Sequence, residues 1–522
     1  MSPLQKRFLG IDLGTGSLKL GIFDGDGIER ATASVAYALE TPQPGWAEMA
    51  VERWWSALVE ACAKLPESER AAVRAIGFSG QMHGVVLTDA AGRALRPAML
   101  WPDTRAHALL DAWPDDPAHP QPNPVAPGMA GPLLRWVLQH EPQVAQAARW
   151  ALQPKDWLRV ALGGAFAADP SDACATALAA PDGAWDFALI DRLGLPARWF
   201  APLAASHAAS GTLSDAAAQA LGLPAGIVLA TGAGDTPCAA LGSGLADEGD
   251  ALLTTGTGGQ IVVTSRSEPS ARRGLHRYRS ATGGWYTMAA MQNVGVALEA
   301  ARGWLSYDWA LAYADAFAAP PSATLTFLPY LSGERSPWLD PTARGGWLGA
   351  SLGDTRGTLM RSAFEGVAFA LRAGLDAVRG TGIGEGEFAS EGTRDHAQAG
   401  QPVPTLKLAG GGSVDARWRQ LLADALDASL YAIDCPNAAA RGAALLGGLA
   451  CGHWRMRDLA ALAPAATLVS SPGEDAALAQ SPGHPPLGQP LAQPRAQPLA
   501  QRYARFIDLY GRVRTWFAPA AR

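Results

Sequence analysis

The stretch FLGIDLGTGSLKLGIF, residues 8–23, decides the fold that the sequence predicts. Two apolar runs, 8–11 and 18–23, flank a turn of four small residues, Gly14, Thr15, Gly16 and Ser17. Apolar runs joined by a Gly-rich turn are typical of a β-hairpin. Such a turn presents backbone N–H groups and a hydroxyl that suit phosphate oxygens, and Asp12 beside it suits a magnesium ion, bound directly or through water. For one hairpin alone, an ordinary tight turn is the simpler interpretation.

A second stretch of the same kind lies about half a chain further on. Residues 250–264 read DALLTTGTGGQIVVT, in which an apolar strand meets a turn of Gly256, Thr257, Gly258 and Gly259 and a second strand returns. Two similar hairpins at this separation suggest a duplicated domain. Each half then contributes one turn of small residues, and a polyphosphate fits the cleft between them.

The length and composition of the chain indicate which classes of protein it can belong to. A chain of 522 residues exceeds one ordinary core, so two domains are expected. Hydrophobic residues make up 48% and charged residues 17%, which is typical of a soluble globular protein, and the net charge of −6 gives no reason to expect nucleic acid or an anionic membrane as a partner. No apolar run approaches membrane-spanning length, and Asp12 interrupts the apolar run after Arg7 too early for a signal peptide.

The cysteines favour a cytoplasmic location. They are scattered, odd in number and without metal-type spacing: Cys62, Cys174, Cys238, Cys435 and Cys451. We therefore expect reduced thiols in the core of a cytoplasmic protein.

Polar residues follow a predicted buried strand at 75–78, in the segment SGQMHG, residues 79–84. At a strand end of an α/β protein such residues often face a ligand, so Met82 and His83 are candidates for substrate contact. The alternative is a β-bulge with a hydrogen-bonded histidine, which a lone histidine would favour.

Two further segments carry candidate polar groups. Trp101, Asp103 and Arg105 suit a polyol, since they combine an apolar wall with hydrogen-bonding groups, but a surface loop with an Asp–Arg pair is equally consistent. Asp235 follows a predicted strand and the turn 232–234, where a helix could begin. It therefore stands at the carboxyl end of a strand, although Asp is also a favoured helix N-cap.

A glycine turn in the second half is a candidate for nucleotide binding. The predicted strand 405–409 leads into Gly410, Gly411, Gly412 and Ser413, and a helix is predicted over about 415–426. This arrangement lets a base or ribose approach the backbone at a helix N-terminus, while an ordinary tight turn is the alternative. A small-residue helix predicted over 438–449 is expected to pack behind the turn.

Helices are also predicted over 51–64, 359–378 and 503–516, each from an apolar face. Residues 380–404 are a Gly/Glu/Gln-rich insertion, and residues 470–500 carry Gln-Pro units that are too polar for a core.

In their order along the chain, these segments resemble the FGGY family of carbohydrate kinases. The matching stretches are GIDLGT (10–15), GQMHG (80–84), LWPDTR (100–105), PKD (154–156), DPSD (169–172), GD (234–235), GT (256–257), FLPYLSGERSP (327–337), GGG (410–412) and WRQLLAD (418–424). Each motif is short, but the ordered set covers roughly residues 8–450 and is specific.

The resemblance implies an α/β fold of the actin-like ATPase superfamily, with two ribonuclease H-like domains closing on a catalytic cleft. The expected domains are a sugar-binding domain over 1–246 and a nucleotide-binding domain over 247–470, followed by a Pro/Gln-rich segment and a terminal helix over 471–522. The implied reaction is phosphorylation of a sugar hydroxyl with ATP and Mg²⁺. Within the family the tetrapeptide QMHG is typical of kinases that convert D-xylulose to D-xylulose 5-phosphate. The expected partners are the sugar and ATP, and the resemblance leaves a homodimer open.

The resemblance also implies roles for individual residues. Asp235 matches the general base, and Asp12 matches the carboxylate near magnesium, which Asp235 also borders. The positions that match sugar contacts are Met82, His83, Trp101, Asp103 and Asp235. The positions that match the phosphate loops are Gly14, Thr15, Gly16 and Ser17 with Gly256, Thr257 and Gly258, and the adenosine motif matches Gly410, Gly411, Gly412 and Ser413.

Three positions depart from the pattern of that subgroup. Pro102 and Thr236 stand where Asn is common, and Ser413-Val-Asp415 replaces Ala-x-Ser. A kinase for another ketose, polyol or sugar acid is therefore one alternative. Others are a non-catalytic sugar or nucleotide sensor and an ATPase that moves proteins or filaments. The presence of Asp12, Asp235 and both phosphate turns argues against the sensor.

Overall fold

A computed structural model describes residues 6–114, 121, 123–380, 405–473 and 498–517 of the chain. Most of the insertion predicted over 380–404 and of the Gln-Pro-rich segment predicted over 470–500 lies outside these residues. In the ranges that the structure describes, every helix is too short or too polar to cross a bilayer.

The strands of the described residues are β1 (Arg7–Leu13), β2 (Ser17–Phe23), β3 (Glu29–Ala36), β4 (Glu48–Met49), β5 (Val73–Gly80), β6 (Val86–Thr88), β7 (Ala98–Met99), β8 (Trp150–Leu152), β9 (Ala209–Thr212), β10 (Val228–Ala230), β11 (Ala233–Gly234), β12 (Ala251–Thr255), β13 (Gly259–Ser265), β14 (His276–Arg279), β15 (Trp285–Met291), β16 (Thr326–Leu328), β17 (Gly346–Leu348), β18 (Thr405–Ala409), β19 (Ser429–Ile433) and β20 (Ala466–Ser470).

The α-helices are α1 (Val51–Lys64), α2 (Glu67–Ala71), α3 (Ala130–His140), α4 (Pro142–Ala147), α5 (Pro154–Ala161), α6 (Pro170–Ala173), α7 (Phe187–Arg192), α8 (Asp215–Leu221), α9 (Asp235–Gly242), α10 (Gly295–Trp304), α11 (Trp309–Ala318), α12 (Arg356–Arg379), α13 (Ala416–Leu426), α14 (Ala438–Ala450) and α15 (Leu499–Phe517). Short 3₁₀ segments lie at His107–Ala112, Ala197–Trp199 and Met456–Asp458.

The first sheet grows from the hairpin that opens the chain, as predicted. Its strands run in the order β3-β2-β1-β5-β10-β9. β1 is antiparallel to β2 and parallel to β5, and β10 is also parallel to β5. β11 pairs with the last residues of β5, beyond the point where β10 ends. Three parallel strands therefore end side by side at one edge of the sheet.

The second sheet repeats this arrangement. Its order is β14-β15-β13-β12-β18-β19-β20, with β12 antiparallel to β13 and parallel to β18. The path β15-β13-β12-β18-β19 has the same order and directions as β3-β2-β1-β5-β10. The duplication predicted from the two hairpins is confirmed.

Helices cover both faces of the first sheet. On one face the predicted apolar stripe of α1 is confirmed, because Trp54, Leu58 and Cys62 are all fully buried in the same core as β1 and β5. On the other face lie α9 and α14. Burial on both faces explains why β1 is apolar along its length rather than alternating.

The prediction that the helix over 438–449 packs behind the glycine turn of the second half is wrong. This helix, α14, lies on β1 and β5 of the first sheet and beside α9. A Cβ atom on Gly10 would lie 1.7 Å from the carbonyl oxygen of Ala440, and one on Gly77 would lie 1.7 Å from that of Ala443. The helix backbone thus rests directly on the strands.

The two halves also share an apolar core, which includes one face of the second sheet. Tyr278, Tyr286 and Met288 are buried there against residues of the first half between 82 and 200. Near this core Asn123 donates from its amide to the Arg277 carbonyl (2.9 Å) and accepts from the Arg277 N–H (2.8 Å). The edge strand β14 is therefore tied to the first half.

Helix α15 contains the terminal helix predicted over 503–516, and it packs on the second half. Phe506 and Tyr510 are buried beside Tyr330, and the Tyr510 hydroxyl donates to Asp340 at 2.7 Å. Arg502 pairs with both carboxylate oxygens of Glu365 on α12. The helix thereby joins the core of the second sheet.

Candidate active site

Asp12 and Asp235 lie on either side of the carboxyl end of β5. In the ladder, Asp12 is opposite Ser79 on one side, and Ala233 is opposite the same residue on the other. Asp235 follows directly after β11 and begins α9. The carboxyl edge of an α/β sheet is where ligands bind. Asp235 therefore lies at a strand end and is also the first residue of a helix. The two positions considered from the sequence are compatible.

The two carboxylates influence each other. Burial raises the pKa of Asp12, while a hydrogen bond from the Ser79 hydroxyl (2.8 Å) and the charge of Lys19 oppose the rise. Burial and the negative charge of Asp12 raise the pKa of Asp235 to about 6, against a hydrogen bond from the Thr236 N–H (2.6 Å). A carboxylate with a pKa close to neutrality is suited to accept a proton.

Met82 and His83 lie at the same edge as Asp235. A Cβ on Gly234 would meet the Met82 side chain at 2.7 Å, so Met82 packs against the strand that leads to Asp235. His83 has a φ of 76°, in the left-handed region, and its Nδ1 lies 2.6 Å from the carbonyl oxygen of Ala175. Because a carbonyl oxygen only accepts, Nδ1 carries the proton. Burial lowers the pKa of His83, so the ring is neutral and Nε2 is an acceptor.

The first phosphate turn is joined to the loop that carries Trp101. The Trp101 indole, half exposed, donates to the Thr15 hydroxyl at 2.8 Å, and that hydroxyl donates to the Gln81 side chain at 3.1 Å. The Tyr37 hydroxyl donates to the Gly14 carbonyl at 2.6 Å. Gly16 is exposed, and the space around its missing Cβ is open. The expected sugar side and phosphate side are therefore in direct contact.

Asp103 is fully buried and bound within the protein. It pairs with Arg105 at 2.7 Å and accepts the Ala47 N–H at 2.7 Å. The Arg105 guanidinium in turn stacks on the Trp46 ring at 3.6 Å. In this structure Asp103 organises the loop behind Trp101, and the Asp–Arg pair considered from the sequence is present.

The second phosphate turn and the glycine triplet meet at the end of β12. Gly256, Thr257 and Gly258 lie between β12 and β13, partly or fully exposed. Gly410 has a φ of 95°, and a Cβ there would lie 2.3 Å from the Thr255 carbonyl oxygen. This contact and the left-handed backbone both require glycine.

Ser413 completes this side of the cleft. Its buried hydroxyl is hydrogen-bonded to that of Thr255 at 2.6 Å, while Gly411 faces open space. The predicted helix follows as α13 with Asp415 as its N-cap. The elements predicted for phosphate and nucleotide binding are thus adjacent in space.

Several residues that support these turns were not predicted from the sequence. Ser79 and Gln81 hold Asp12 and Thr15. In the second half, buried Glu334 accepts the Gln292 N–H at 2.6 Å and the Asn293 amide at 3.1 Å, next to the turn 256–258. Each of these contacts joins residues that are 41 to 67 positions apart in sequence, so a sequence motif alone does not contain the pairing.

Two carboxylates are sufficient for the divalent cation that the fold implies. Across the described ranges, no three His, Cys, Asp or Glu side chains converge as a metal cluster. Mg²⁺ in kinases is held by one or two carboxylates together with substrate phosphates. Asp12 and Asp235 flank the carboxyl end of β5, which makes them the candidates to hold this cation.

Comparisons with known proteins agree with this geometry. Residues 7–242 match the model of the N-terminal domain of the FGGY family of carbohydrate kinases, and residues 251–451 match that of the C-terminal domain. The xylulose kinase of Escherichia coli (strain K12) is 33% identical over 428 residues, which cover 80% of this chain and 84% of that protein.

Solved structures agree in fold over nearly the whole chain. A xylulose kinase from Rhodospirillum rubrum has a TM-score of 0.81 at 27% identity, and a protein named as a "xyloylose kinase" from Brucella ovis has 0.83 at 29%. Each covers 98% of this chain and 100% of the solved one. With both family domains, the duplicated sheets and the two carboxylates at the strand ends, the chain belongs to the FGGY family of carbohydrate kinases and is an ATP-dependent sugar kinase.

Proposed function

We propose that this kinase phosphorylates D-xylulose at its 5-hydroxyl, with Asp235 as the general base. The observation that carries the proposal is the position of Asp235 at a strand end, beside Met82 and opposite Asp12, with a pKa raised to about 6. The relatives in E. coli and R. rubrum are named as xylulose kinases, which favours the same substrate.

Each residue at the strand ends has a distinct task in this mechanism. The Asp235 carboxylate takes the proton of the attacking hydroxyl. Neutral His83 accepts a hydrogen bond from another sugar hydroxyl through Nε2, and Met82 limits the shape of the pocket. The backbone groups of the turns 14–17 and 256–258 hold the phosphates in line with that hydroxyl. Phosphoryl transfer depends mainly on this alignment and on charge neutralisation.

Asp12 and Asp235 are the residues that would hold Mg²⁺ in this mechanism. The ion supplies positive charge that neutralises the phosphate oxygens of ATP. The adenosine lies at the triplet 410–412 and Ser413 in this proposal, because the backbone there is open at Gly411.

The test of the base is Asp235→Asn. The variant is expected to bind ADP normally and to lose turnover by roughly 10²–10⁴, the usual contribution of a general base. Asp215→Asn is a matched control, since Asp215 is also the first residue of a helix in the first half but is exposed. Coupled ADP release measures turnover. Near-normal turnover in a folded Asp235→Asn protein would remove this residue from the mechanism.

A second candidate substrate is another ketose, a polyol or a sugar acid. Thr236, which donates to Asp235 through its N–H, stands where Asn is common in the subgroup. Coupled ADP release with D-xylulose, D-ribulose, L-ribulose, gluconate, glycerol and xylitol separates the candidates. The highest kcat/KM is expected for D-xylulose, and a higher value for any other sugar would reassign the substrate.

A further inference from the structure

The turn that precedes Asp235 is held by side chains from both ends. At its start, Arg159 donates to the Thr231 carbonyl oxygen at 2.5 Å. At its end, the Gly234 N–H donates to the Ser171 hydroxyl oxygen at 3.1 Å. Gly234 is the residue directly before Asp235, so the Ser171 contact is one peptide unit from the proposed base.

Arg159 belongs to a cluster of buried charges near the strand ends, and Ser171 is hydrogen-bonded to a member of it, Asp169. The Lys155 ammonium lies 2.8 Å from Asp156, 2.9 Å from Asp169 and 3.1 Å from Asp172. Arg159 pairs with Asp156 at 2.6 Å. All five residues are completely buried. We call this set, Lys155, Asp156, Arg159, Asp169 and Asp172, the buried charge cluster.

The buried charge cluster is balanced if one carboxyl is protonated. It contains two cations and three carboxyl groups. Burial raises the pKa of Asp172 well above its usual value, and the neighbouring Asp169 and Asp156 charges raise it further against the pull of Lys155. With Asp172 neutral, the remaining two carboxylates match Lys155 and Arg159. Moving Lys155, Arg159 or one of these two carboxylates would leave a buried charge unpaired, and this cost opposes displacement of the cluster.

Ser171 connects this cluster to the active-site turn. Its hydroxyl donates to Asp169 at 2.6 Å, which leaves the hydroxyl oxygen free to accept from Gly234. Ser206 makes the same kind of bond, donating to the same oxygen of Asp169 at 2.8 Å. The side chain of Ser206 differs in one respect, since it has no bond to Gly234 in the described structure.

We propose that Ser171 is a positioning residue that transmits the resistance of the buried charge cluster to displacement, through the Gly234 N–H, to the carboxylate of Asp235. The proposal rests on the function proposed above for Asp235. A displacement of about 1 Å in a reacting group can cost about 10²-fold in rate, so a single fixed peptide unit matters at this position. Lys155 also packs against Gly80 at the end of β5. A Cβ atom added to Gly80 would lie 2.9 Å from the Cβ of Lys155, so the same cluster supports the end of this strand.

The first test compares Ser171→Ala with Ser206→Ala. Each variant removes one hydrogen bond to the same oxygen of Asp169, and Ser171→Ala also removes the acceptor of the Gly234 N–H, so a larger loss of Tm is expected for Ser171→Ala. Ser171→Ala is expected to lower kcat about ten- to a hundredfold, with less than threefold change in the KM for sugar or in the Kd for ADP. Ser206→Ala is expected to keep kcat within about twofold. Equal kcat in the two variants would overturn the proposal.

A second pair of variants keeps the test valid if Ser171→Ala does not fold. Thr and Val have the same shape, so Ser171→Thr and Ser171→Val disturb packing equally and differ only in the hydroxyl. The Thr variant is expected to exceed the Val variant in kcat by at least about fivefold, because it retains the acceptor for Gly234. Equal kcat for this pair would show that the hydroxyl has no positioning role.

A double variant separates failure of this proposal from failure of the proposed base. If Ser171 acts through Asp235, Ser171→Ala lowers kcat in the wild-type background but not further in the Asp235→Asn background. An active Asp235→Asn protein would refute the base assignment by itself. An Asp235→Asn protein with strongly reduced but measurable turnover, combined with additive loss in the double variant, would refute only the positioning role.

Discussion

His83 is held in a backbone conformation that few residues with a side chain adopt. Its φ of 76° lies in the left-handed region, where a non-glycine residue costs roughly 1–3 kcal/mol. The bond from Nδ1 to the Ala175 carbonyl oxygen holds the ring in place and leaves Nε2 as an acceptor. Such strain is maintained where the position of a side chain matters for function.

His83→Ala is therefore expected to lower kcat/KM for the sugar about ten- to a hundredfold, which corresponds to leaving one buried polar group without its partner. The Kd for ADP without sugar should stay within about twofold, because the nucleotide elements lie on the other sheet. His83→Asn is the control for backbone strain, since Asn tolerates the left-handed region better than Ala. We expect it to retain more Tm but to lose as much activity. Unchanged sugar kinetics in both folded variants would take His83 out of the sugar site.

Residues within one contiguous motif could be predicted from the sequence, but their partners could not. Asp12 and Asp235 could each be placed at a strand end from the apolar run before it. The bond between Ser79 and Asp12 spans 67 positions, and that between Gly234 and Ser171 spans 63. These pairings follow from strand order, which local patterns do not contain. Asp103 shows the converse, because its Asp–Arg pair was visible in the sequence but its complete burial was not.

At the scale of elements, α15 is tied to α12 in the second half by an ion pair that is almost completely buried. The side chains of Arg502 and Glu365 are 10% and 6% exposed. On the same helix, Arg512 pairs with Asp508 at 2.7 Å, but those side chains are 75% and 58% exposed. The two pairs are alike in chemistry and differ in solvent access.

Arg502→Leu is expected to lower the free energy of unfolding by roughly 1–3 kcal/mol, because it leaves one carboxylate oxygen of buried Glu365 without its partner. Arg361 still pairs with the other oxygen at 3.1 Å. Arg512→Leu is expected to change it by less than about 1 kcal/mol, since an exposed pair contributes little. Urea denaturation followed by tryptophan fluorescence measures both. Similar losses in the two variants would mean that α15 is not anchored through Arg502.

The elements themselves were largely predictable, and the exception has a physical cause. The two hairpins, α1, α12, α13 and α15 were predicted from apolar runs and glycine turns, and the structure confirms them within a few residues. For α14, periodicity showed small apolar residues all round but not which surface they contact. Small side chains predict that a helix packs closely on its neighbour, but they do not specify which neighbour. In the structure the neighbour of α14 is the first sheet.

At the scale of the whole molecule, α14 makes the two halves inseparable. It comes from the second half of the chain, yet it covers β1 and β5 with backbone-to-backbone contacts at Gly10 and Gly77. Asn123 and the core around Tyr278 join the halves on the other side. Any movement of the two halves relative to each other therefore has to occur around a contact close to α9, which carries Asp235.

Gly77→Ala tests the tightness of this contact. The added Cβ would overlap the Ala443 carbonyl oxygen, so we expect a loss of about 3 kcal/mol in the free energy of unfolding, at the upper end of the cost of overpacking. Gly303→Ala in α10 is the control, because the same change there meets open space and is expected to be neutral or slightly stabilising. Chemical denaturation compares the two. A Gly77→Ala protein as stable as the wild type would show that α14 can move away from the sheet.

The position of α14 in the sequence also determines when the first sheet can be fully covered during synthesis of the chain. The face of β1 and β5 is complete in sequence once residue 80 has been added, but the helix that covers it is encoded at 438–450. At roughly 5–20 residues per second, a ribosome takes roughly 20–70 s to travel between these points. During that interval α9 is the only one of the two helices on this face that has been synthesised, and the surface around Gly10 and Gly77 lacks its cover. The first sheet therefore receives its covering helix α14 only after residue 450 has been added, although its own strands β1 and β5 are translated early.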